Sequence, residues 1–262
     1  MRRTVTALIA IAAVVAGTSL AAAKDWKEIR VGTDATYPPF ESVDSSGAFV
    51  GFDIDIMNAI CADIGAKCTF VNQDFDGIIP ALLAGKFDVI DSSLSITAER
   101  AKQIDFTNMY YNTPPVIVAR KDAGIKGITV DDLAGKTIGV QSSTTHANYA
   151  QKTYTKSTIK LYPSADQFKL DLINGRLDAV NDDIVVLEDW LKTSKEAQQC
   201  CEVVGTIKLV PAIHGLGQGF GVRKEDKDLT ALLNKGIADI LANGTYKKIN
   251  DKYFDFNAYG QP

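Results

Sequence analysis

Three hydroxyl side chains and one arginine follow a short apolar run in the first half of the chain. Ser92, Ser93 and Ser95 come shortly after Val89 and Ile90, and Arg100 stands three residues beyond Thr97. The apolar pair predicts a buried strand, and a threonine is a favourable first residue for a helix. An arginine in the first turn of a helix is unfavourable unless an anion is close, because that end carries partial positive charge. The pattern therefore predicts a site for a carboxylate or a phosphate.

The elements that would position this site alternate between strands and helices. Residues 28–32 and 68–71 predict strands, and residues 51–64 and 228–241 predict amphipathic helices. This alternation is typical of an α/β fold.

An internal repeat suggests that the fold has two similar halves. Residues 82–90 and 172–180 share a helix end, a glycine, a basic residue, an aspartate and an apolar strand, 90 residues apart. Helix–glycine–strand units recur in many α/β proteins, but the matching Asp88 and Asp178 favour two lobes of like topology. Ser92 and Asp183 would then lie at equivalent strand ends, where α/β sheets bind their ligands.

The first 23 residues have the pattern of a cleaved signal peptide. Arg2 and Arg3 precede an apolar run at residues 5–16, and alanines at 21–23 form a cleavage site. No cysteine follows that site, so we expect export without lipid attachment. Without the two arginines, 26 basic residues face 32 acidic ones, a net charge of −6. That balance argues against a nucleic-acid partner.

The four cysteines fit an oxidising compartment. Cys61 and Cys68 flank a predicted turn, and we expect a disulfide between them, although four cysteines allow three pairings. Cys200 and Cys201 are adjacent, and the sequence leaves open a vicinal disulfide or two free thiols. A metal site and a cofactor are not expected, because His146 and His214 are the only histidines and stand away from the cysteines. Both histidines are interpreted as bystanders.

Six segments together carry a resemblance to a known family. They are residues 29–40, 51–55, 74–76, 92–100, 174–178 and 244–249. In these segments the chain resembles the periplasmic solute-binding proteins for polar amino acids (solute-binding protein family 3), especially those that bind lysine, arginine, ornithine or histidine.

The resemblance implies a type II periplasmic-binding-protein fold, with two α/β lobes joined by two crossover strands and a ligand cleft between them. Lobe I would comprise residues 24–113 and 214–262, and lobe II residues 114–213. The implied protein is not an enzyme. It is expected to be a monomer in the periplasm that closes on a cationic amino acid and delivers it to an ABC-type membrane permease, a separate protein.

The resemblance also assigns roles to individual residues. Arg100 would bind the α-carboxylate of the ligand and Asp183 its α-ammonium group. Asp34 would face the distal end of the side chain, with Tyr37 and Phe75 against its stem. The remaining head-group contacts would come from hydroxyl side chains, namely Ser92, Ser93, Ser95, Thr144 and Thr145. One departure is Ser143, which replaces a glycine of the family pattern.

Some alternatives stay open at this point. Asp183 could supply the anion for the ammonium group, whereas the neighbouring Asp182 could cap the next helix, and we favour Asp183 for the ammonium group. A receptor for an opine or another amino-acid derivative would keep the head-group site. A dehydratase of the cyclohexadienyl type would need a general acid with a raised pKa, for which Glu41 and Asp34 are the candidates.

Overall fold

The computed structural model describes residues 24–260. The predicted signal peptide lies outside these residues. Within them, no helix is both long enough and apolar enough to cross a membrane.

The strands and helices alternate along the chain. The strands are β1 (Glu28–Thr33), β2 (Thr36–Tyr37), β3 (Glu41–Val43), β4 (Phe49–Val50), β5 (Lys67–Asn72), β6 (Val89–Ile90), β7 (Asp105–Phe106), β8 (Pro115–Arg120), β9 (Thr137–Gln141), β10 (Thr158–Tyr162), β11 (Ala179–Asp183), β12 (Cys201–Thr206) and β13 (Gly221–Val222). The α-helices are α1 (Phe52–Asp63), α2 (Ile78–Leu83), α3 (Thr145–Thr153), α4 (Ala165–Ile173), α5 (Ile184–Thr193), α6 (Lys195–Cys200), α7 (Pro211–His214), α8 (Lys227–Ala242) and α9 (Thr245–Tyr253). Short 3₁₀ helices span Phe75–Gly77, Arg100–Lys102 and Lys121–Ala123.

Two five-stranded sheets have the same arrangement, which confirms the expected α/β fold with two lobes. The first has the order β5-β1-β6-β13-β7 and the second β10-β9-β11-β8-β12. In each, three neighbouring parallel strands are followed by an antiparallel fourth strand and a fifth strand antiparallel to it. We call the first sheet and its helices lobe I, and the second sheet and its helices lobe II. Their limits at residues 113/114 and 213/214 stay a prediction.

The internal repeat corresponds to equivalent positions in the two sheets. Strands β6 and β11 each lie third in their sheet. The Asp88 carboxylate accepts the Arg30 backbone N–H over 3.1 Å, and the Asp178 carboxylate accepts the Thr137 backbone N–H over 2.7 Å. In both halves, the repeated aspartate therefore ties the start of its strand to the neighbouring strand.

Each lobe has its own apolar core. In lobe I, the apolar stripe of α1, including Ile56, Met57 and Ile60, packs with strand residues and with α8. In lobe II, α3 and α4 cover the sheet and contribute Ala150 and Phe168. The two sheets are thus rigid supports for the loops at their strand ends.

Two segments connect the lobes and bond to each other. The chain leaves lobe I through residues 107–114 and returns through residues 207–220. The Tyr110 N–H donates to the Gln218 carbonyl and the Gln218 N–H to the Tyr111 carbonyl, both over 2.9 Å. At Gly215, φ is 84° and an added Cβ would lie 2.2 Å from the Ile96 carbonyl oxygen, so this close approach requires glycine.

Two disulfides are present. Cys61 and Cys68 are bonded, as predicted, across the turn between α1 and β5. Cys200 and Cys201 form a vicinal disulfide at the junction of α6 and β12, which resolves the alternative that the sequence left open.

One local prediction is wrong. The helix expected from Thr97 is only the 3₁₀ turn Arg100–Lys102, because the chain enters strand β7 soon afterwards. The Thr97 hydroxyl nevertheless accepts the Arg100 N–H over 3.2 Å.

Candidate functional site

A pocket of about 350 Å³ lies between the lobes, where the strand ends of both sheets face each other. Its wall is formed by twelve side chains, namely Asp34, Tyr37, Glu41, Phe75, Ser92, Ser93, Ser95, Arg100, Gln141, Thr144, Thr145 and His146. Nine of the ten predicted ligand-binding residues are among them.

Arg100 spans the cleft between the two lobes. Its Nη1 donates to the Ser95 carbonyl over 2.9 Å and its Nη2 to the Ser143 carbonyl over 3.0 Å. Its guanidinium carbon lies 5.4 Å from the centre of the Phe75 ring. Among residues 24–260, no carboxylate pairs with this guanidinium. Burial lowers the pKa of Arg100 to about 10, so it stays protonated at neutral pH.

The three serines after β6 turn their hydroxyls in different directions. The Ser92 hydroxyl accepts the Asp34 N–H over 2.9 Å and donates to Glu41 over 3.3 Å. The Ser93 hydroxyl is 3.1 Å from Glu41 Oε2, and its φ is 49°. The Ser95 and Thr145 hydroxyls lie 3.5 Å apart across the cleft. Only Ser95 among the three faces lobe II directly.

Asp34 is buried at the end of β1 and is bonded to the other lobe. Its Oδ2 accepts the Gln141 side-chain N–H over 2.8 Å, and its Oδ1 accepts the Thr36 hydroxyl over 3.0 Å. Burial raises the pKa of Asp34, while the bonds from Gln141 and Thr36 oppose that rise. A cation placed in the pocket would favour the ionised carboxylate.

The loop between β9 and α3 supplies the lobe II wall. Thr144 caps α3: its hydroxyl accepts the Ala147 N–H over 3.0 Å and donates to the Gln141 carbonyl over 2.7 Å. Ser143 has φ 61°, a left-handed conformation that favours glycine. The serine that replaces the glycine of the family pattern therefore lies at a position where the backbone suits glycine. The Ser143 hydroxyl donates to the Asp76 carboxylate of lobe I.

Asp183 is not among the side chains that line the pocket. Its Oδ1 accepts the Val185 N–H over 2.8 Å and caps α5, and its Oδ2 accepts the Thr113 hydroxyl over 2.5 Å. Of the two aspartates, Asp183 and not Asp182 therefore caps the helix. Burial raises the pKa of Asp183 to about 7. Its binding of the ligand's ammonium group stays a prediction.

Asp182 instead faces Tyr37 and His146. Its Oδ1 accepts the Tyr37 hydroxyl over 2.5 Å and lies 3.3 Å from His146 Nε2. Its Oδ2 is buried and has no hydrogen-bond partner in the described chain.

Three wall residues were not assigned to ligand binding from the sequence. Gln141 gave no signal, because its partner Asp34 is 107 residues away. His146, interpreted from the sequence as a bystander, lies on the pocket wall, whereas His214 does not. Glu41 is buried, and burial together with nearby carboxylates raises its pKa well above the usual range.

Comparison with known proteins identifies a family. The sequence profile of the bacterial extracellular solute-binding proteins, family 3, matches residues 29–256. No group of three potential metal ligands occurs in the part of the chain that the structure describes.

Three similar proteins have informative names. The L-arginine-binding protein of Pseudomonas aeruginosa is 43% identical over 237 residues, covering 89% of this chain and 90% of its own. The lysine/arginine/ornithine-binding periplasmic protein of Escherichia coli is 41% identical over 235 residues, covering 88% and 89%. A solved structure of a Salmonella typhimurium periplasmic binding protein, described as having high arginine specificity, matches with a TM-score of 0.80 and 34% identity. It covers 87% of this chain and 99% of that one.

Proposed function

The chain belongs to the bacterial extracellular solute-binding proteins, family 3, and on that basis we propose that it is a periplasmic receptor for a cationic L-amino acid. Lysine, arginine and ornithine are the ligand candidates, with histidine as a further one, and arginine ranks first because two similar proteins are named for it. The receptor closes its lobes on the ligand and delivers it to an ABC-type permease in the membrane.

One observation carries the proposal. The Arg100 guanidinium lies in the cleft with no carboxylate partner within residues 24–260, and both of its hydrogen bonds go to backbone carbonyls. A partly buried cation of this kind is stabilised by an anion that can accept from a planar fork, which is what a carboxylate does. A ligand carboxylate would supply that charge.

The acidic character of the remaining wall favours a cationic ligand. Asp34 lies on the pocket wall, and Asp182 lies just behind it through Tyr37. With Arg100 engaged by the ligand's carboxylate, these groups leave an excess of potential negative charge. A ligand with a positively charged side chain compensates it, whereas a neutral one does not.

The proposed roles of the residues follow from these positions. Arg100 binds the α-carboxylate, helped by hydroxyls of Ser95 and Thr145. Asp34 accepts from the distal cationic group, and Tyr37 and Phe75 flank the aliphatic stem. Ser92 and Ser93 fix the acidic side of the wall, and Thr144 holds the loop that carries Thr145.

Asp183 is proposed as the partner of the α-ammonium group. A bound ammonium would favour its ionised form and draw its pKa below the value near 7 that burial imposes. Thr113 would remain its second partner, which keeps the carboxylate oriented.

Calorimetric titration tests the proposed function. We expect arginine, lysine or ornithine to bind with 1:1 stoichiometry, and glutamine to bind much more weakly. Nopaline, included as an opine, would bind more tightly than arginine if the tail pocket serves amino-acid derivatives. Absence of heat with all of these compounds would contradict the proposal.

A second function has one observation in its favour. Glu41 lies on the pocket wall with a raised pKa, as a general acid would require. A dehydratase of the cyclohexadienyl type would convert prephenate. We expect no turnover of prephenate, because Glu41 accepts hydrogen bonds from two serines, which hold it away from a leaving group. If the wild-type protein converted prephenate and Glu41→Gln abolished that activity, the result would favour the enzymatic function.

A further inference from the structure

His146 occupies the pocket wall with its two ring nitrogens in different surroundings. Nε2 lies 3.3 Å from Asp182 Oδ1, and the side chain is 15% exposed. Nδ1 is buried and has no hydrogen-bond partner within residues 24–260. A buried polar atom without a partner is costly, so a donor supplied from outside the chain would stabilise this nitrogen.

The position of Asp182 determines which nitrogen carries the proton. Asp182 Oδ1 accepts from the Tyr37 hydroxyl over 2.5 Å and from the Asp183 N–H over 2.9 Å. A carboxylate oxygen only accepts, and a nitrogen lone pair facing it would be repelled. Nε2 therefore bears the hydrogen, and in the neutral ring Nδ1 is an acceptor.

The surroundings also keep the ring neutral. Burial lowers the pKa of His146, Asp182 opposes that effect, and the Arg100 charge adds to it. His214, from α7, and the Tyr37 hydroxyl are the other titratable groups that face this region. At neutral pH, His146 can accept a hydrogen bond but cannot repel a cation.

Resting on the function proposed above, we propose that His146 determines specificity by accepting, at Nδ1, a hydrogen bond from a protonated nitrogen of the ligand. The nitrogen is either the α-ammonium group or the cationic end of the side chain, which share this chemistry. Asp182 acts as the positioning residue that fixes the tautomer. Tyr37 in turn fixes Asp182 from lobe I, so the acceptor is in place only when the lobes meet.

Two substitutions separate the ring nitrogens. The amide of His146→Asn reaches the position of Nδ1 and can present an oxygen there. The amide of His146→Gln reaches the position of Nε2, so it can donate to Asp182 but leaves no acceptor at Nδ1. We expect arginine affinity to fall roughly tenfold to a hundredfold in His146→Gln and to stay within a few-fold of wild type in His146→Asn.

Calorimetry with arginine and glutamine distinguishes the two nitrogens. Equal losses for both ligands in His146→Gln assign the bond to the α-ammonium group, whereas a loss for arginine alone assigns it to the side chain. Unchanged affinity in His146→Gln, or equal losses in both variants, would overturn the inference. If wild-type protein binds no amino acid, the proposed function fails instead. Thermal melting of each variant checks that it folds.

Nitrogen NMR gives an independent readout. The chain has two histidines, and the Val210 N–H donates to His214 Nδ1 over 2.9 Å, so that ring is an internal reference for the same tautomer. We expect His146 Nδ1 to be unprotonated at pH 7.5 and to shift when arginine binds. A proton on Nδ1 in the complex would contradict the inference.

Discussion

Gln141 of lobe II donates its side-chain N–H to the Asp34 carboxylate of lobe I over 2.8 Å. This bond joins two residues of the pocket wall across the cleft. It therefore stabilises the closed arrangement while leaving the second Asp34 oxygen to Thr36. Under the proposed function, lobe closure and ligand recognition would share this carboxylate.

Gln141→Ala should weaken arginine binding, because the closed state loses an interlobe bond and Asp34 loses a donor. The net loss should be about 1–2 kcal/mol, or roughly fivefold to thirtyfold in Kd. Calorimetry measures it, and Gln167→Ala, at an exposed position of the same lobe, is the control. Equal affinity of both variants would show that the bond does not contribute.

Arg100→Ala should abolish binding of every amino acid, because the ligand's carboxylate would be buried without a cation. Arg100→Lys keeps the charge but lacks the planar fork, so we expect weak residual binding. Arg176→Ala, which removes an exposed arginine paired with Asp171, should bind normally. Wild-type affinity in Arg100→Ala would disprove the role of this residue.

Asp34→Asn should weaken arginine and lysine far more than glutamine. The amide keeps the shape of the side chain and can still accept from Gln141, but it removes the negative charge from the wall. Parallel titrations with the three ligands measure the difference. Similar losses for all of them would mean that Asp34 does not recognise the cationic end.

Asp91→Asn should change how stability depends on pH. Asp91 is buried, and burial, with Asp53 nearby, raises its pKa well above the usual range; burial also raises the pKa of Asp53 to about 6. Glu41 and the hydroxyl of Tyr110 are the other titratable groups of this cluster, and Ser93 also bonds to it. No arginine, lysine or histidine of the described chain bonds to these carboxylates.

The sign follows from the direction of the shift. The folded state holds a proton on Asp91 at pH values where the unfolded chain has lost it, so this stability is present below about pH 4 and is lost as pH rises through the folded pKa. Asp91→Asn should therefore raise the free energy of unfolding by roughly 1–3 kcal/mol at pH 8, and by little at pH 4.5. Urea unfolding at both pH values measures it, with Asp255→Asn as an exposed control. A difference that shrinks with pH would contradict the prediction.

Removing the Cys61–Cys68 disulfide by replacing both cysteines with serine should lower the free energy of unfolding by about 2–3 kcal/mol, because the bond closes a loop in the unfolded chain. The Cys200–Cys201 disulfide joins adjacent residues and closes no such loop. Replacing these two cysteines with serine should therefore lower the free energy of unfolding by less. Urea unfolding of both double variants compares them. An equal or larger loss at residues 200 and 201 would contradict this account.

The sequence predicted the elements whose signals are local. The stripe of α1, the glycine after it and the repeat around Asp88 and Asp178 all depend on spacing within one segment. The resemblance then predicted nine residues of the pocket wall. Short or exposed strands such as β10 were not predicted from the sequence. Most side chains of β10 are exposed, so no local pattern distinguishes it from a loop.

Contacts between distant residues could not be predicted. The hydrogen bond of Gln141 to Asp34 joins residues 107 apart, and His146 contacts Asp182, 36 residues further along the chain. Asp182 and Asp183 are neighbours of the same type, and only the start of α5 decides which of them caps the helix. Pairings of this kind arise from the packing of the lobes.

The pairing of the two connecting segments at Tyr110, Tyr111 and Gln218 restricts how the cleft can open. Two chain segments that are hydrogen-bonded side by side resist sliding past each other and resist twisting, but they can bend together. We therefore expect the lobes to separate by a swing about a single axis. Under the proposed function, a ligand that contacts both lobes would arrest this motion, and the angle between the lobes would report occupancy to the permease.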